Sequence, residues 1–357
     1  MLAIVSITHT APPDAVAVHA AAHRAYLRSL FERRKLVASG PLASGGGGTL
    51  LLRAQSEREA REMLRDEPYL AQGVASHDVR MWTPTLGAEQ LDAPSPTPLA
   101  TSPSVAPHAL AGRAALVTGA SSGIGAATAT ALSAAGARLL VTGRDPARLA
   151  AVAARAGAAA IPADLAADGG PERVAAAALA AAGRVDLLVC NAGAGWAGPI
   201  SELPAATAAE LVRLNLLVPI QLARLLVPSM TARGSGRLIF VSSIAGVTGV
   251  RNEAVYAATK SGLNGLAESL RYELAGPGVG VSVVLPGAVD TPFFGRRGQP
   301  YERAWPGPIN ADRVARAITE AALRDRDEVY VPAWLRLPAW LHGAAPGPFR
   351  RLASRFG

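Results

Sequence analysis

The sequence predicts an α/β protein whose main part is a doubly wound parallel sheet, preceded by a smaller α+β unit of ferredoxin-like type. Three observations carry this. From Ala114 to Arg144 a short apolar run breaks into small residues, resumes as a proline-free, alanine-rich segment and ends in a second apolar run, the order strand, turn, helix, strand. Apolar runs and helical stretches then keep alternating, and most of the runs are apolar throughout, as strands are when helices cover both faces of a sheet. Residues 87–109, rich in proline, serine, threonine and alanine, read as an extended linker that sets residues 1–86 apart from 110–357.

The first unit reads βα(β)βαβ. The apolar start LAIVSI is its first strand and Ala15 to Arg34 its first helix. A turn at Gly40-Pro41 and a glycine run, Gly45 to Gly48, precede the strand-like TLLLRA. Ser56 followed by Glu59 has the spacing of a capping box and opens the second helix, and His77 to Trp82 is the closing strand. In HRAYLRSL, the GPL turn, SEREAREML, DEPYLAQGV and VRMW this segment resembles the YCII-related (YciI-like) family. That resemblance implies a dimeric α+β barrel and an active-site histidine and acid. The matching histidine is His23; the matching acid is Glu67, where the family usually has aspartate, with Asp66 one place earlier. A single histidine on an amphipathic helix also suits a structural role, and association or small-ligand binding is the expected contribution of the unit.

Composition narrows the function classes. Half of the 357 residues are hydrophobic, enough for a sizeable core. The single cysteine, Cys190, lies in the apolar run VDLLVC and suits a buried strand position, with no disulfide framework. No leader pattern and no run of ~20 uninterrupted apolar residues is seen, so the expectation is a soluble, cytoplasmic protein. The net charge of +8 comes from scattered residues, with no aromatic-basic alternation before the last few dozen residues, which argues against nucleic acid as partner. Only two of the 35 basic residues are lysines, Lys35 and Lys260. Arginine does not replace a compact ammonium acting through local field and proton relay, so Lys260 stands out.

In the larger unit, strands are expected at Ala159 to Ile161, Val185 to Cys190, Arg237 to Ser242, Val279 to Leu285 and Glu328 to Val331. Helices are expected at Asp145 to Ala156, Pro171 to Ala182, Ala205 to Ala232, Glu253 to Ala275 and Asn310 to Arg324. The turn after the first strand is TGASSGIG, with glycines spaced GxxxGxG at Gly119, Gly123 and Gly125. Such a turn lets backbone approach a phosphate at a helix N-terminus, where unpaired amides and positive dipole favour an anion. Arg144 follows the second strand where a carboxylate would bind the ribose hydroxyl of NAD; arginine pairs instead with a 2′-phosphate, so NADP is favoured over NAD. Asp145, before Pro146, reads as a helix cap, with the ribose as its alternative partner. Asp164 and the NAG at Asn191, Ala192 and Gly193 follow the third and fourth strands, at the sheet edge where ligands bind.

Ser243, Tyr256 and Lys260 form the sharpest constellation. Tyr256 and Lys260, four residues apart in a helical stretch, share a face, and Ser243 ends a strand 13 residues earlier. A phenol with a reference pKa of about 10 needs a neighbouring positive charge to act as base near neutrality. TGASSGIG, NAG, the asparagine of LNLL, SSIAG, YAATK and PGAVDT, in this order, resemble the short-chain dehydrogenase/reductase family over residues 110–324. The resemblance implies a Rossmann fold with Tyr256 as general acid/base and Lys260 lowering its pKa and binding the nicotinamide ribose. Ser243 would polarise the substrate oxygen, and Asn215 would hold a water of the proton relay. Gly119, Ser121, Ser122, Gly123, Ile124, Gly125, Arg144, Asp164, Leu165, Asn191 to Gly193, Pro286, Gly287, Val289 and Thr291 would surround NADP. No metal site is expected, and both families make a homo-oligomer the expectation.

Ala194, Trp196, Ile244, Ala245, Val250, Ala288, Phe293 and Phe294 flank the expected substrate pocket, which favours an apolar carbonyl compound or alcohol. The tail after Val331 mixes Trp334, Trp340, Phe349 and Phe356 with arginine and histidine. Three readings stay open for it: docking on its own domain, covering the substrate site, or weak contact with a membrane surface. Two alternatives to a simple oxidoreductase also stay open. One is a bifunctional protein with a reaction or ligand site in the first unit; the other is an NADP-responsive sensor or scaffold, against which the Ser243, Tyr256 and Lys260 set argues.

Overall fold

The computed structural model describes residues 1–42, 46–83, 108–301, 306–324 and 326–356, in two compact units, 1–103 and 104–357. Nearly all of the proline-rich linker lies outside the described residues.

In the first unit, strands β1 (Leu2–His9), β2 (Leu36–Pro41), β3 (Gly47–Arg53) and β4 (Ala75–Trp82) form an antiparallel sheet in the order β2-β3-β1-β4. Helices α1 (Pro13–Glu32), α2 (Glu57–Met63) and α3 (Pro68–Ala71) complete the expected ferredoxin-like order. Strand β3 starts earlier than TLLLRA, because Gly47 and Gly48 already pair with Thr8 and Ile7. The Ser56 side chain accepts from the Glu59 amide at 3.2 Å, as the capping spacing requires.

The second unit is a seven-stranded parallel sheet of β5 (Ala114–Thr118), β6 (Arg138–Gly143), β7 (Ala159–Pro162), β8 (Leu187–Cys190), β9 (Gly236–Val241), β10 (Val279–Pro286) and β13 (Glu328–Val331). Its order is β13-β10-β9-β8-β5-β6-β7, with a short separate pair, β11 (Val289–Asp290) and β12 (Ile309–Asn310). The chain leaves β5 toward β6 and β7, then returns to its other side at β8, so the switch point lies between β5 and β8. Successive strand residues serve opposite cores: Leu116, Leu188 and Leu238 pack on one side, Val117, Val189 and Ile239 on the other. That two-sided burial is why these strands read as continuous apolar runs.

On the Leu116 side lie α6 (Gly170–Ala182), α8 (Val218–Ala232) and α10 (Ala254–Leu274), bringing Val174, Leu222 and Leu263 to the core. On the other lie α4 (Gly123–Ala134), α5 (Pro146–Ala156) and α12 (Ala311–Leu323), with Leu132, Leu149 and Ile318. The expected helix 205–232 is present but not α-helical throughout: α7 (Ala205–Val212) passes through a π-helical turn, Arg213–Leu217, into α8. By length and composition this stretch, whose most apolar 18-residue window has mean hydropathy 1.5, could cross a membrane, although Glu210, Arg213 and Arg224 interrupt it. Leu214, Val218, Leu222, Leu226 and Met230 are nonetheless buried against the sheet, as in a core helix.

Candidate active site

The glycine loop is built by a latch across the switch point. Thr118 Oγ1, buried at the end of β5, accepts from the amides of Asn191 and Ala192 at 2.9 and 3.0 Å and donates to Val189 O at 3.2 Å. Asn191 Nδ2 donates back to Thr118 O at 2.9 Å. Gly119 takes φ +65°, and a Cβ there would stand 2.7 Å from Ala192 Cα; at Gly125 it would stand 2.3 Å from Gly119 O. Only glycine permits this approach. The first-turn amides of α4 have no partner within the helix, and the capping residue Ser122 makes no side-chain cap bond.

The loop borders a cleft of about 1410 Å³. Of the residues expected at the cofactor and in catalysis, all line it except Gly125, which packs α4 on the loop, and Asn215. The eight expected substrate-side residues line it too. These groups stand around one cavity that runs along the carboxyl edge of the sheet.

At one end Gly143 packs against Ser121, and Arg144 lies half-exposed with Nη1 3.6 Å from Glu210 Oε1 of α7. Asp145 accepts from the Arg148 amide at 3.0 Å and pairs with its guanidinium at 2.8 Å, so it caps α5 as expected. Asp164 Oδ1 accepts from the Ala166 amide at 2.9 Å, closing the turn after β7.

On the facing lip stand Ser243, Tyr256 and Lys260, all buried. Ser243 follows β9; its Oγ accepts from the Ala245 amide at 3.1 Å and is hydrogen-bonded to the Tyr256 phenol. Lys260 Nζ donates to Val241 O at 2.9 Å and lies 5.7 Å from the Tyr256 ring centre. Burial pushes the Lys260 ammonium down to about 8. Burial also pushes the Tyr256 phenol well above its usual value; Ser243 and Arg297 act against this and Glu253 adds to it. Burial dominates, so Tyr256 keeps its proton. Cys190 is buried beside Lys260, and burial pushes its thiol up to about 12, leaving it inert.

Asn215 sits in the π-helical turn, fully buried. Its amide brackets Ala194, accepting from N and donating to O at 2.9 Å each, and donates to Thr259 Oγ1 at 3.1 Å. Thr259 in turn donates to Tyr256 O at 2.7 Å. The side chain therefore ties α10 to the loop after β8, while Pro219, one turn on, removes the amide that α-helical geometry would aim at the Asn215 carbonyl.

Three arginine contacts were missed by sequence reasoning. Arg296, on the short helix α11 (Phe293–Arg296), donates to Ser122 Oγ at 2.6 Å and so reaches across the cleft to the glycine loop. Arg297 forms a buried ion pair with Glu253 and stands 4.6 Å from the Phe294 ring centre, so the substrate side is not purely apolar. Arg251 also lines the cleft. The only sequence signal was their place near the motif residues, and arginine is too common in this chain for that to register.

In the first unit, Glu67 is fully buried and caps α3, accepting from the Tyr69 and Leu70 amides at 3.1 Å each. His23 Nδ1 lies 2.6 Å from its Oε1, and the His23 ring stacks on Tyr69 at 4.0 Å. His77 Nε2 approaches Oε2 to 3.1 Å, off the line of a good hydrogen bond. Burial alone would raise the Glu67 carboxyl, but the bonds from His23 and the two amides, with the close approach of His77, hold it well below the usual range. Glu67 is thus the acid paired with His23, and Asp66 is exposed.

A doubly wound sheet with a glycine loop at its switch point and a Ser, Tyr, Lys lip facing it defines the class of nicotinamide-dependent oxidoreductases. The chain belongs to the short chain dehydrogenase family, whose sequence profile matches residues 113–302, and residues 2–83 match the YCII-related domain. It is 39% identical over 185 residues to ketoacyl reductase HetN of Nostoc sp., an alignment spanning 50% of this chain and 64% of that protein. A metagenomic short-chain oxidoreductase in complex with NADP is 36% identical, with TM-score 0.55, over 62% of this chain and 98% of the other. A short chain dehydrogenase/reductase from Burkholderia phymatum in complex with NAD is 26% identical, with TM-score 0.60, over 66% and 94%.

Proposed function

We propose that the larger unit is an NADP(H)-dependent oxidoreductase interconverting a carbonyl and a hydroxyl group on a largely apolar substrate. The observation that carries this is the buried set Ser243, Tyr256 and Lys260 on one lip of a cleft whose other lip is the glycine loop. The cradle fits a dinucleotide: Cβ atoms at Gly119 and Gly125 would fill it, and the α4 amides point their donors into it. Arg144, with Arg148 nearby, supplies the charge for a 2′-phosphate, and the NADP-bound relative supports that choice over NAD.

When bound, the nicotinamide supplies or accepts the hydride at the carbinol carbon. In the reducing direction Ser243 donates a hydrogen bond to the substrate oxygen and orients it. Tyr256, kept protonated by burial, gives its phenolic proton to that oxygen as it gains electron density. Lys260 holds a proton at Nζ beside the resulting phenolate and stabilises it. Asn215 fixes the backbone of Ala194 and the start of α10, so the donors keep their spacing. The reading includes a cytoplasmic homo-oligomer.

The test is NADPH oxidation, with NADH alongside, against a panel of apolar ketones, aldehydes and quinones. Turnover that Tyr256→Phe abolishes while NADPH still binds supports the mechanism; an unchanged rate overturns it. A second reading gives the first unit a small-ligand site of its own. The tie of His23 to buried Glu67 favours it, and loss of an NADP-independent activity or of ligand binding in His23→Ala is its test.

A further inference from the structure

Helix α13 (Arg336–Ala344) packs on α9 (Ala245–Thr248) and is followed by α14 (Pro346–Phe356). The segment entering α13 and the helix itself sort their apolar residues onto two faces. Leu335 and Ala339, four apart, are buried at 5% and 8% exposure. Trp334, Leu337, Trp340 and Leu341 stand 45%, 61%, 65% and 38% exposed. Val18, Ile200 and Tyr272 are exposed singly and Val212, Leu217 and Ile220 form a smaller set, whereas these four, two of them tryptophans, fall within eight residues. The charge of the same stretch is one-sided. From residue 329 to 357 the sequence has four arginines and His342 and no aspartate or glutamate. The two helices stay together through the His342 and Phe349 rings, 5.2 Å apart.

We propose that this face docks on an anionic membrane surface. Indole rings combine an apolar body with an N–H donor, which suits the boundary between headgroups and acyl chains, and the arginines match acidic headgroups. A second copy of the chain fits the face less well, because a two-fold contact would set two acid-free basic surfaces against each other. Leu335, on the same segment, lines the cleft beside Gly287. Docking thereby ties the cleft to a lipid-soluble substrate. That last step rests on the oxidoreductase reading, whereas membrane binding itself is read without turnover.

The experiment is sedimentation of the full-length protein with phosphatidylcholine vesicles, plain or containing roughly one-third phosphatidylglycerol. The expected result is binding about tenfold or more stronger to the anionic vesicles, weakened by salt, with tryptophan emission moving to the blue. Trp334→Ser with Trp340→Ser, and separately Arg336→Glu with Arg350→Glu, are each expected to lower binding about tenfold or more. The charge pair alters no buried residue and keeps the test decisive if the serine pair misfolds. Wild-type protein that stays in the supernatant with both vesicle types overturns the proposal, as does equal binding by both variant pairs. A concentration-dependent dimer that the serine pair abolishes, with no vesicle binding, assigns the face to a second copy.

Discussion

Lys260 and Val241 are joined by a 2.9 Å hydrogen bond from Nζ to the strand-end carbonyl, and Ser242 returns a bond to the Lys260 carbonyl at 3.1 Å. Strand β9 and helix α10 are therefore pinned to each other at the residue whose charge the proposed chemistry needs. The bond fixes the ammonium where burial has already weakened its hold on the proton.

From this follows a pH dependence. Carbonyl reduction is expected to decline as pH rises past about 8, where Lys260 loses its proton, while the Tyr256 phenol stays protonated. Stability moves in the opposite sense. The folded pKa is depressed from the usual lysine value of 10.5, so the charged form is penalised in the folded state and stability rises as pH goes from about 8 toward 10.5. Lys260→Met is expected to abolish this rise and to lower kcat by roughly 100-fold or more. Rate profiles and denaturant melts across this pH range check both halves.

Two arginines are expected to separate the phosphates of the cofactor. Arg144→Ala should weaken NADPH by roughly 10- to 100-fold, the worth of a charge-assisted pair, and leave NADH nearly unchanged. Glu210→Gln, which frees Arg144 from its 3.6 Å partner, should tighten NADPH slightly. Arg296 differs, because its guanidinium and the α4 N-terminus are both positive and meet at Ser122, an arrangement that an anion between them stabilises. Arg296→Ala should therefore weaken NADPH and NADH alike, by about tenfold. Nucleotide titrations followed by protein fluorescence decide this, and equal losses with both nucleotides in Arg144→Ala would overturn the cofactor assignment.

The legible part of this protein was local. Gly119, Gly123 and Gly125 fall within seven residues, and Ser243, Tyr256 and Lys260 within eighteen, so strand and helix periods alone placed each set on one lip. Arg296 meets Ser122 from 174 positions away, and Glu253 meets Arg297 from 44, distances over which periodicity says nothing. The π-helical turn stayed hidden for another reason. One extra residue in a turn leaves the apolar stripe of 205–232 almost unchanged, and only Pro219 in LNLLVPI marked the fault. Glu67 was ambiguous beside Asp66 until burial and the α3 cap separated them.

Asn215→Ala is expected to act on stability as well as rate. The truncation leaves the Ala194 amide and carbonyl without their 2.9 Å partners in a part-buried place on the cleft wall. A cost of about 2–4 kcal/mol follows, or a fall of roughly 5–15 °C in the melting of the larger unit. Because the anchor of Ala194 is lost, kcat should fall even at temperatures where the variant is folded. Calorimetry beside steady-state kinetics checks this, and a variant with wild-type melting removes the anchoring role.

Glu67 carries the corresponding prediction for the first unit. Its carboxyl is held well below the usual range by His23, His77 and two amides despite complete burial. The sign follows from linkage: the stabilisation is present above the unfolded carboxylate pKa of about 4.3 and is lost as pH falls from there toward the depressed folded value. Glu67→Gln removes the charge but keeps an acceptor for the α3 cap. Its melting should therefore be lower than wild type near neutrality and change less as pH falls below about 4, with the two proteins converging in acid. Parallel acid dependences in variant and wild type would show that the carboxylate is not what holds His23 in place.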